Sequence, residues 1–295
     1  MKIGNPNTPD CDFFACFHLN SRFWYPIHWN AEETPESEWF SYDRNKEFEE
    51  LYGRDSDAYR IRVLGEFPLQ DPNCVLSEEL VLGVMGNPSL MQKCVRLGRV
   101  GTGKPVKQFG IDFARFGGDE STIFRRSGYH VAEWARYSHV DPTHVVDKAY
   151  HMQRMTSWPD SGTWFVADAG GMGQGIMHRF YEASKNIVEF HSQGRPFSPD
   201  FDNRITEAWF NFARLVKARN CSLPKDNLLA AQLATRRYYT TRKGKLIIES
   251  KNDYIKRGYN SPDRADGCVL CFWDNVEATG NISAGHYSPH AVGQV

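Results

Sequence analysis

Acidic residues at three places in the sequence have the surroundings that metal-assisted hydrolysis requires. Asp112 lies in an apolar strand, FGIDFA, where a carboxylate is costly unless it is paired or bound to a metal ion. Asp168 is the first polar residue after a second apolar stretch, WFVA. Asp263 and Asp266 open a predicted helix, and their spacing of three residues places both on one helical face. Because the ends of neighbouring strands converge at one edge of a sheet, we expect these carboxylates to meet.

Carboxylates brought together in this way repel one another, and divalent cations relieve the repulsion. Mg²⁺ or Mn²⁺ is the expected choice, since hard cations prefer carboxylate oxygens. Two such ions, ~3.5 to 4 Å apart, could activate a water and stabilise the leaving oxygen of a phosphodiester. The pattern therefore indicates two-metal phosphodiester hydrolysis.

Each acid also has an ordinary structural interpretation, which the sequence leaves open. Asp112 could form a buried ion pair with Arg115 or Arg264. Asp263 could be a first-turn acid that stabilises the N-terminus of its helix. Asp168 could cap the helix that follows its glycine loop. Only the combination of these acids favours a metal site.

Three other motifs carry weaker signals. The glycine run GGMGQG at 170–175 lies between a strand and a helix, but it lacks the lysine and hydroxyl of a phosphate-binding loop. Cys268 and Cys271 have CxxC spacing without a second pair, which favours core packing over zinc binding. His286 and His290 lie in a polar tail and are interpreted as incidental.

The elements that must position the acids follow an α/β order. Three strands joined by short turns are followed by alternating helices and strands and by a last long helix. This order predicts a ribonuclease H-like domain, a mixed sheet with flanking helices. The predicted strands cover 108–116, 121–127, 129–137, 163–167, 186–190 and 245–248, and the predicted helices cover 142–155, 175–184, 204–219, 225–237 and 262–273.

The first hundred residues do not continue this α/β order. Residues 13–19 and 24–29 predict strands, and 35–52 predicts an acidic helix. The stretch 97–105, with its glycines and a proline, predicts a boundary. From residue 279 onward the sequence predicts a loose tail.

Composition is that of a globular protein. The chain has 295 residues, 41% of them hydrophobic, and a net charge of −1, which argues against a disordered chain and against a basic nucleic-acid coat. No apolar run approaches the ~20 residues of a membrane span, and the start does not predict a signal peptide. The seven cysteines lack framework spacing, which is typical of reduced thiols in a cytoplasm.

Charge is unevenly distributed along the chain. Residues 32–60 hold ten acids and four bases, a net of −6, whereas residues 214–264 hold thirteen bases and four acids, a net of +9. The basic stretch contains interleaved tyrosines, a composition that suits a surface tracking DNA phosphates. A merely solvated basic face is the alternative. The predicted DNA-binding residues are Arg236, Arg237, Arg242, Lys243, Lys245 and Lys251.

The sequence also resembles the large subunit of tailed-phage terminases, the DNA-packaging motors. The segments that carry the resemblance span nearly the whole chain in the family's order. The first three match the nuclease domain, and the others match the end of the motor ATPase domain. They are GIDFARFGGDEST (110–122), VADAGGMGQG (166–175), KNDYIKRGYNSPDRADG (251–267), IGNPN (3–7), NAEETP (30–35) and YRIRVLGEFP (59–68).

The resemblance implies roles for the acids and a set of partners. It assigns Asp112 and Asp168 as metal ligands and favours Asp266 over Asp263 as the third. Partners implied are double-stranded DNA, a small terminase subunit, a portal protein and further copies on the portal, in the cytoplasm of a bacterial host, with no membrane. Asp119 and Glu120 match an acidic spot after the first strand and are assigned a supporting role behind the ligands.

The implied function is a metal-dependent endonuclease that cuts concatemeric phage DNA. The sequence departs from the family because it holds no GxxxxGK[ST] and no apolar run ending in Asp-Glu, so ATPase activity is not expected. Residues 1–100 are interpreted as the C-terminal remnant of an ATPase domain, 105–278 as the nuclease domain and 279–295 as the tail. A split product, a prophage remnant and a truncated record all remain open. The alternatives are a ribonuclease H-like resolvase or transposase and a non-catalytic piece that binds DNA or assists motor assembly.

Overall fold

The computed structural model divides into two compact units, Met1–Ser77 and Glu78–Val295. No helix in the described part of the chain is long and apolar enough to cross a membrane. The described residues are 1–6, 12–17, 21–36, 41–54, 59–68, 73–97, 106–114, 119–170 and 174–274.

The first unit is helical where it is regular. Helices α1 (Asp12–Phe17) and α2 (Tyr42–Tyr52) are followed by a π-helical turn, Arg60–Leu64, which ends at Gly65. Gly65 has φ +65°, and a Cβ there would lie 2.1 Å from the backbone oxygen of Trp29. The turn therefore requires glycine at this position.

The described parts of the strands predicted over 13–19 and 24–29 are not strands, and residues 18–19 lie outside the described residues. Residues 13–17 are helical, and residues 24–30 have no regular structure. A strand must find a partner for its backbone groups, whereas a helix satisfies them within its own segment. The helix predicted over 35–52 is present from Tyr42 onward.

The second unit is built on a five-stranded mixed sheet. Its spatial order is β3-β2-β1-β4-β5, in which β1 pairs antiparallel with β2 and parallel with β4. The predicted antiparallel meander and the ribonuclease H-like α/β order are thereby confirmed. The strands are β1 (Lys107–Asp112), β2 (Glu120–Ser127), β3 (His130–Ser138), β4 (Thr163–Asp168) and β5 (Asn186–Phe190).

A separate two-stranded hairpin, eight α-helices and a short 3₁₀ helix, Asp160–Gly162, complete the regular structure in the described part of this unit. The hairpin strands are β6 (Tyr238–Thr240) and β7 (Leu246–Ile248). The helices are α3 (Glu78–Gly83), α4 (Pro88–Arg96), α5 (Pro142–Met155), α6 (Gln174–Glu182), α7 (Arg204–Lys217), α8 (Asn227–Thr235), α9 (Lys251–Lys256) and α10 (Asp263–Cys271).

Helices cover both faces of the sheet. Strand alternation sends Phe109 and Ile111 of β1 into a core shared with α5 and α6, together with Phe165 and Ala167 of β4. The opposite face of β1 meets α10, which also packs against α7 and α8. Since side chains alternate between faces, Asp112 and Asp168 fall on the α10 face.

Two features of the second unit differ from the sequence-based expectations. The unit begins at Glu78, so it includes two helices that precede the predicted boundary at 97–105. The short helix α9 was not predicted, because six residues are too few to show a hydrophobic period.

Helix α10 approaches the sheet closely, and two glycines permit this. A Cβ on Gly110 of β1 would lie 2.2 Å from the backbone nitrogen of Cys271. A Cβ on Gly267 of α10 would lie 2.1 Å from Oγ1 of Thr122. The helix that carries Asp263 and Asp266 is therefore held at backbone distance from the strand that carries Asp112.

We expect Gly110→Ala to destabilise the second unit strongly. The added methyl group would press on helix backbone, which cannot rotate away, so the cost should reach ~3 kcal/mol, the upper end of the usual range for overpacking. Thermal unfolding measures the effect as a fall in Tm of about 6 to 12 °C. Gly175→Ala is the control, because nothing lies within 4 Å of the Cβ position there. Equal Tm values for the two variants would contradict the close approach.

Candidate metal centre

Two of the candidate acids lie at the carboxyl ends of adjacent parallel strands. Asp112 is the last residue of β1 and Asp168 the last residue of β4. The register pairs Ile111 with Ala167, so the two aspartates follow neighbouring positions on the same face of the sheet. The prediction that strand ends bring these acids together is confirmed.

Helix α10 supplies the other two acids. Asp263 and Asp266 lie in its first turn, and each retains about 5% of its surface exposed. Oδ2 of Asp263 accepts a hydrogen bond from the backbone nitrogen of Glu120 at 2.9 Å. Oδ1 of Asp263 accepts one from the hydroxyl of Ser261 at 2.5 Å. Asp263 therefore links the first turn of α10 to the start of β2 through a hydrogen bond.

Lys251, the first residue of α9, lies where three of these carboxylates converge. Its Nζ is 2.9 Å from Oδ2 of Asp112, 3.2 Å from Oδ2 of Asp266 and 3.4 Å from Oδ1 of Asp263. The lysine side chain is 40% exposed, whereas the three carboxylates are buried. We call Asp112, Asp263, Asp266 and Lys251 the acidic cluster.

Burial and mutual charge shape the electrostatics of the acidic cluster. Burial raises the pKa of Asp112 to about 8, and the neighbouring aspartates add to the rise against the attraction of Lys251. Burial opposes the charge on Lys251, but the carboxylates raise the pKa of its ammonium well above the usual value. For Asp266, burial is outweighed by Lys251, Arg236 and the Trp209 hydrogen bond, so its pKa is lowered. The cluster thus holds excess negative charge around one cation.

Asp168 is oriented by neutral donors. Its Oδ1 accepts a hydrogen bond from the backbone nitrogen of Gly170 at 2.9 Å, and its Oδ2 accepts one from the hydroxyl of Ser192 at 3.0 Å. Its charge contributes to the raised pKa of Asp112. The bond to Gly170 is a local turn contact, and residues 171–173 of the glycine run lie outside the described residues.

The acids assigned a supporting role surround the start of α10. Glu120 accepts hydrogen bonds from Arg264, at 2.9 Å from Nε, and from Arg136, at 2.5 Å from Nη1. Arg264 also bonds Asp226 through Nη1 at 3.0 Å. Burial raises the pKa of Asp119, and the charge of Asp263 adds to the rise. The partner of Asp112 is therefore Lys251, and Arg264 belongs to this neighbouring network.

The predicted DNA-binding residues separate into different environments. Arg236 is only 2% exposed, with its guanidinium over the rings of Trp209 and Tyr254. This burial argues against the predicted DNA contact for Arg236. Within the acidic cluster the ammonium of Lys251 pairs with the three carboxylates. This pairing argues against the predicted DNA contact for Lys251.

The remaining basic residues lie on or beside the hairpin. Arg242 and Lys243 are exposed in the turn between β6 and β7. Arg237 precedes β6 and Lys245 precedes β7, and both are half-buried. The hairpin turn is therefore the most accessible part of the predicted DNA-binding set.

The arrangement fits a hard divalent cation in the chemistry of its donors. Three carboxylates already surround a positive charge, and a fourth adjoins them at the end of β4. Among the described residues, no group of three or more Asp, Glu, His or Cys side chains is spaced to hold a metal ion as it stands. The ammonium of Lys251 lies at the point where these carboxylates converge, so a cation there requires that ammonium to withdraw.

The other motifs do not contribute to this centre. Cys268 and Cys271 are fully buried in α10, and the six cysteines in the described part of the chain are free thiols. Burial raises the pKa of both thiols, which suits core packing. Arg115, His286 and His290 lie outside the described residues.

The fold and the position of the acids together define a class. An antiparallel three-stranded meander continues into parallel strands, and carboxylates lie at the ends of β1 and β4 and on a helix packed across the sheet. This is the ribonuclease H-like architecture, a mixed sheet with flanking helices.

Comparison with solved structures identifies a particular form of this fold. The second unit has the fold of the nuclease domains of phage large terminase subunits. The nuclease domain from bacterial virus Sf6 matches with a TM-score of 0.57 and 18% identity, over 68% of this chain and 99% of that one. A mutant of that domain with manganese and beta-thujaplicinol gives the same values. Another mutant structure, with calcium, matches with a TM-score of 0.56 and 18% identity, over 68% and 100%. No family model and no curated protein matches the sequence.

Proposed function

We propose that the second unit is a metal-dependent DNA endonuclease of a phage packaging terminase, which cuts concatemeric double-stranded DNA. The observation that carries the proposal is the convergence of three buried carboxylates, one at the end of β1 and two in the first turn of α10, on the ammonium of Lys251. The fold shared with terminase nuclease domains, some of them solved with manganese or calcium, supports it. The ATPase remnant expected over residues 1–100 is proposed for the first unit, Met1–Ser77, because residue 78 onward belongs to the second unit.

The four aspartates and Lys251 would have different roles in hydrolysis. Asp112, Asp168 and Asp266 would hold two divalent ions, and Asp263 would hold α10 against β2 while facing the same centre. The ions supply Lewis acidity for attack of water on the phosphodiester. Lys251 would move away from the carboxylates when the ions bind.

A plasmid-nicking assay tests the proposal directly. The purified chain is incubated with supercoiled DNA in EDTA, in Mg²⁺ and in Mn²⁺. Cleavage that depends on the added ion supports the endonuclease. DNA binding without cleavage in any of the ions would instead support the non-catalytic alternative. Cut sites with a sharp consensus would favour a resolvase or transposase, because phosphate contacts carry no sequence information.

The hairpin is the proposed DNA contact nearest in sequence to the acidic cluster. Strand β7 ends at Ile248, and Lys251 follows three residues later. The hairpin turn presents two exposed cations, Arg242 and Lys243, on the chain segment that leads into the cluster. Contacts of this kind address phosphates and predict little sequence preference.

We expect Arg242→Ala/Lys243→Ala to weaken DNA binding and to reduce its salt dependence. Each lost phosphate contact removes about 0.9 from the slope of log affinity against log salt, so the slope should shrink by roughly one to two units. Binding is measured at several salt concentrations with Ca²⁺ in place of Mg²⁺. Lys148→Ala/Arg154→Ala on α5 is matched in charge, lies on the other side of the sheet and should keep the slope. Identical slopes for the hairpin variant and the wild type would end the assignment.

A further inference from the structure

The indole of Trp209 fixes the orientation of one acid in the cluster. Trp209 lies on α7 with no exposed surface, and its Nε1–H donates to Oδ1 of Asp266 at 3.0 Å. The other oxygen, Oδ2, is 3.2 Å from Nζ of Lys251. The two oxygens of Asp266 therefore contact different groups, Oδ1 the indole N–H and Oδ2 the ammonium of Lys251. Oδ2 is the oxygen that faces the proposed cation position.

The indole itself is held in place. The guanidinium carbon of Arg236 lies 5.7 Å from the centre of the Trp209 ring and 5.5 Å from that of Tyr254. Arg236 is buried, and its Nε and Nη1 have no hydrogen-bond partner among the described residues. A guanidinium that lies between two aromatic faces and is closed off from water restrains both rings. These contacts restrain the orientation of the Trp209 ring.

We propose that Trp209 is a positioning residue that sets which divalent cations the acidic cluster accepts. The inference rests on the proposed metal-dependent function. Mg²⁺ demands near-ideal octahedral geometry, whereas Ca²⁺ takes six to eight oxygens and readily binds a carboxylate through both of them. Because the indole occupies Oδ1, Asp266 offers one oxygen in one direction. This restriction favours Mg²⁺ and Mn²⁺ over Ca²⁺.

The Trp209→Phe variant removes the N–H while it keeps an aromatic ring over Arg236. Freed of its donor, Asp266 can rotate and present both oxygens. We expect the ratio of Mg²⁺ affinity to Ca²⁺ affinity to fall about tenfold, the scale of one hydrogen bond to a charged group. The affinities are read without DNA, from the rise in Tm over a concentration series of each ion. Trp158→Phe, at the other end of β1, is the control and should keep the wild-type ratio.

A second variant guards against loss of packing at this buried site. Benzothienylalanine at position 209, introduced by stop-codon suppression, replaces the indole N–H by sulfur and preserves the shape of the ring. It should lower the ratio as Trp209→Phe does. If either folded variant keeps the wild-type ratio of Mg²⁺ affinity to Ca²⁺ affinity, the proposed role of Trp209 is overturned and the proposed function is not. A wild type whose Tm responds to neither ion overturns the proposed function and this inference with it.

Discussion

Asp112→Asn should reduce Mn²⁺-dependent cleavage about 10³-fold or more while the protein stays folded. The substitution removes the charge of a proposed metal ligand, and several kcal/mol of charge stabilisation correspond to such a factor. The Tm should hold or rise, because Asp112 is buried among like charges from Asp266, Asp263 and Asp168. Plasmid nicking and thermal unfolding, carried out on the same preparation, measure the two effects.

Asp168→Asn and Asp266→Asn should show the same loss of cleavage. Asp147→Asn is the matched control, since Asp147 lies exposed on α5, where it pairs with Arg179 at 2.8 Å. It should cleave as the wild type does. If Asp112→Asn, Asp168→Asn or Asp266→Asn cleaved at the wild-type rate, that residue would be removed from the proposed metal site.

Lys251→Met should lower the Tm of the metal-free protein and enlarge the rise in Tm that Mn²⁺ produces. Without the ammonium, three buried carboxylates lose their shared counter-charge, at a cost of about 2 kcal/mol after allowance for the partial exposure of the lysine. This corresponds to a fall in Tm of roughly 4 to 8 °C in EDTA. Because the ion no longer has to displace an ammonium, its apparent affinity should rise about tenfold.

Lys256→Met on the same helix is the control for Lys251. The Lys256 side chain is 76% exposed and pairs with Asp253 at 2.9 Å, an arrangement that contributes little to stability. The Tm of the Lys256→Met variant should equal that of the wild type both in EDTA and in Mn²⁺. If Lys251→Met also behaved as the wild type in both buffers, Lys251 would not be the counter-charge of the cluster.

The acids could be predicted from the sequence because their surroundings were unusual. Asp112 lies in an apolar strand and Asp168 follows one, and the alternation of side chains then fixes the face on which both lie. The spacing of Asp263 and Asp266 needed only the period of a helix. Local pattern was therefore sufficient for the five strands of the main sheet and for the acidic side of the cluster, although not for the strands expected in the first unit.

The cationic side was not predictable by the same means. Lys251 was assigned to DNA because it belongs to a basic stretch, and nothing in its neighbours shows that it turns toward carboxylates. A helix start was nevertheless readable, since Ser250 caps α9 by accepting a hydrogen bond from the backbone of Asp253 in an S-x-x-D pattern. The burial of Arg236 and the bond from Trp209 to Asp266 depend on the packing of α7 and α8 against α10, which sequence alone does not specify.

The position of α10 in the chain order has a consequence for biosynthesis. Synthesis proceeds from the N-terminus, so all five strands of the main sheet emerge before α10 can dock on them. Asp112 and Lys251 are 139 residues apart, and contacts of this range form late because a long loop must close first. Until α10 docks, Asp112 and Asp168 at the strand ends therefore lack the acids of α10 beside them. The complete acidic cluster, and with it the proposed nuclease activity, would form only after this last docking step.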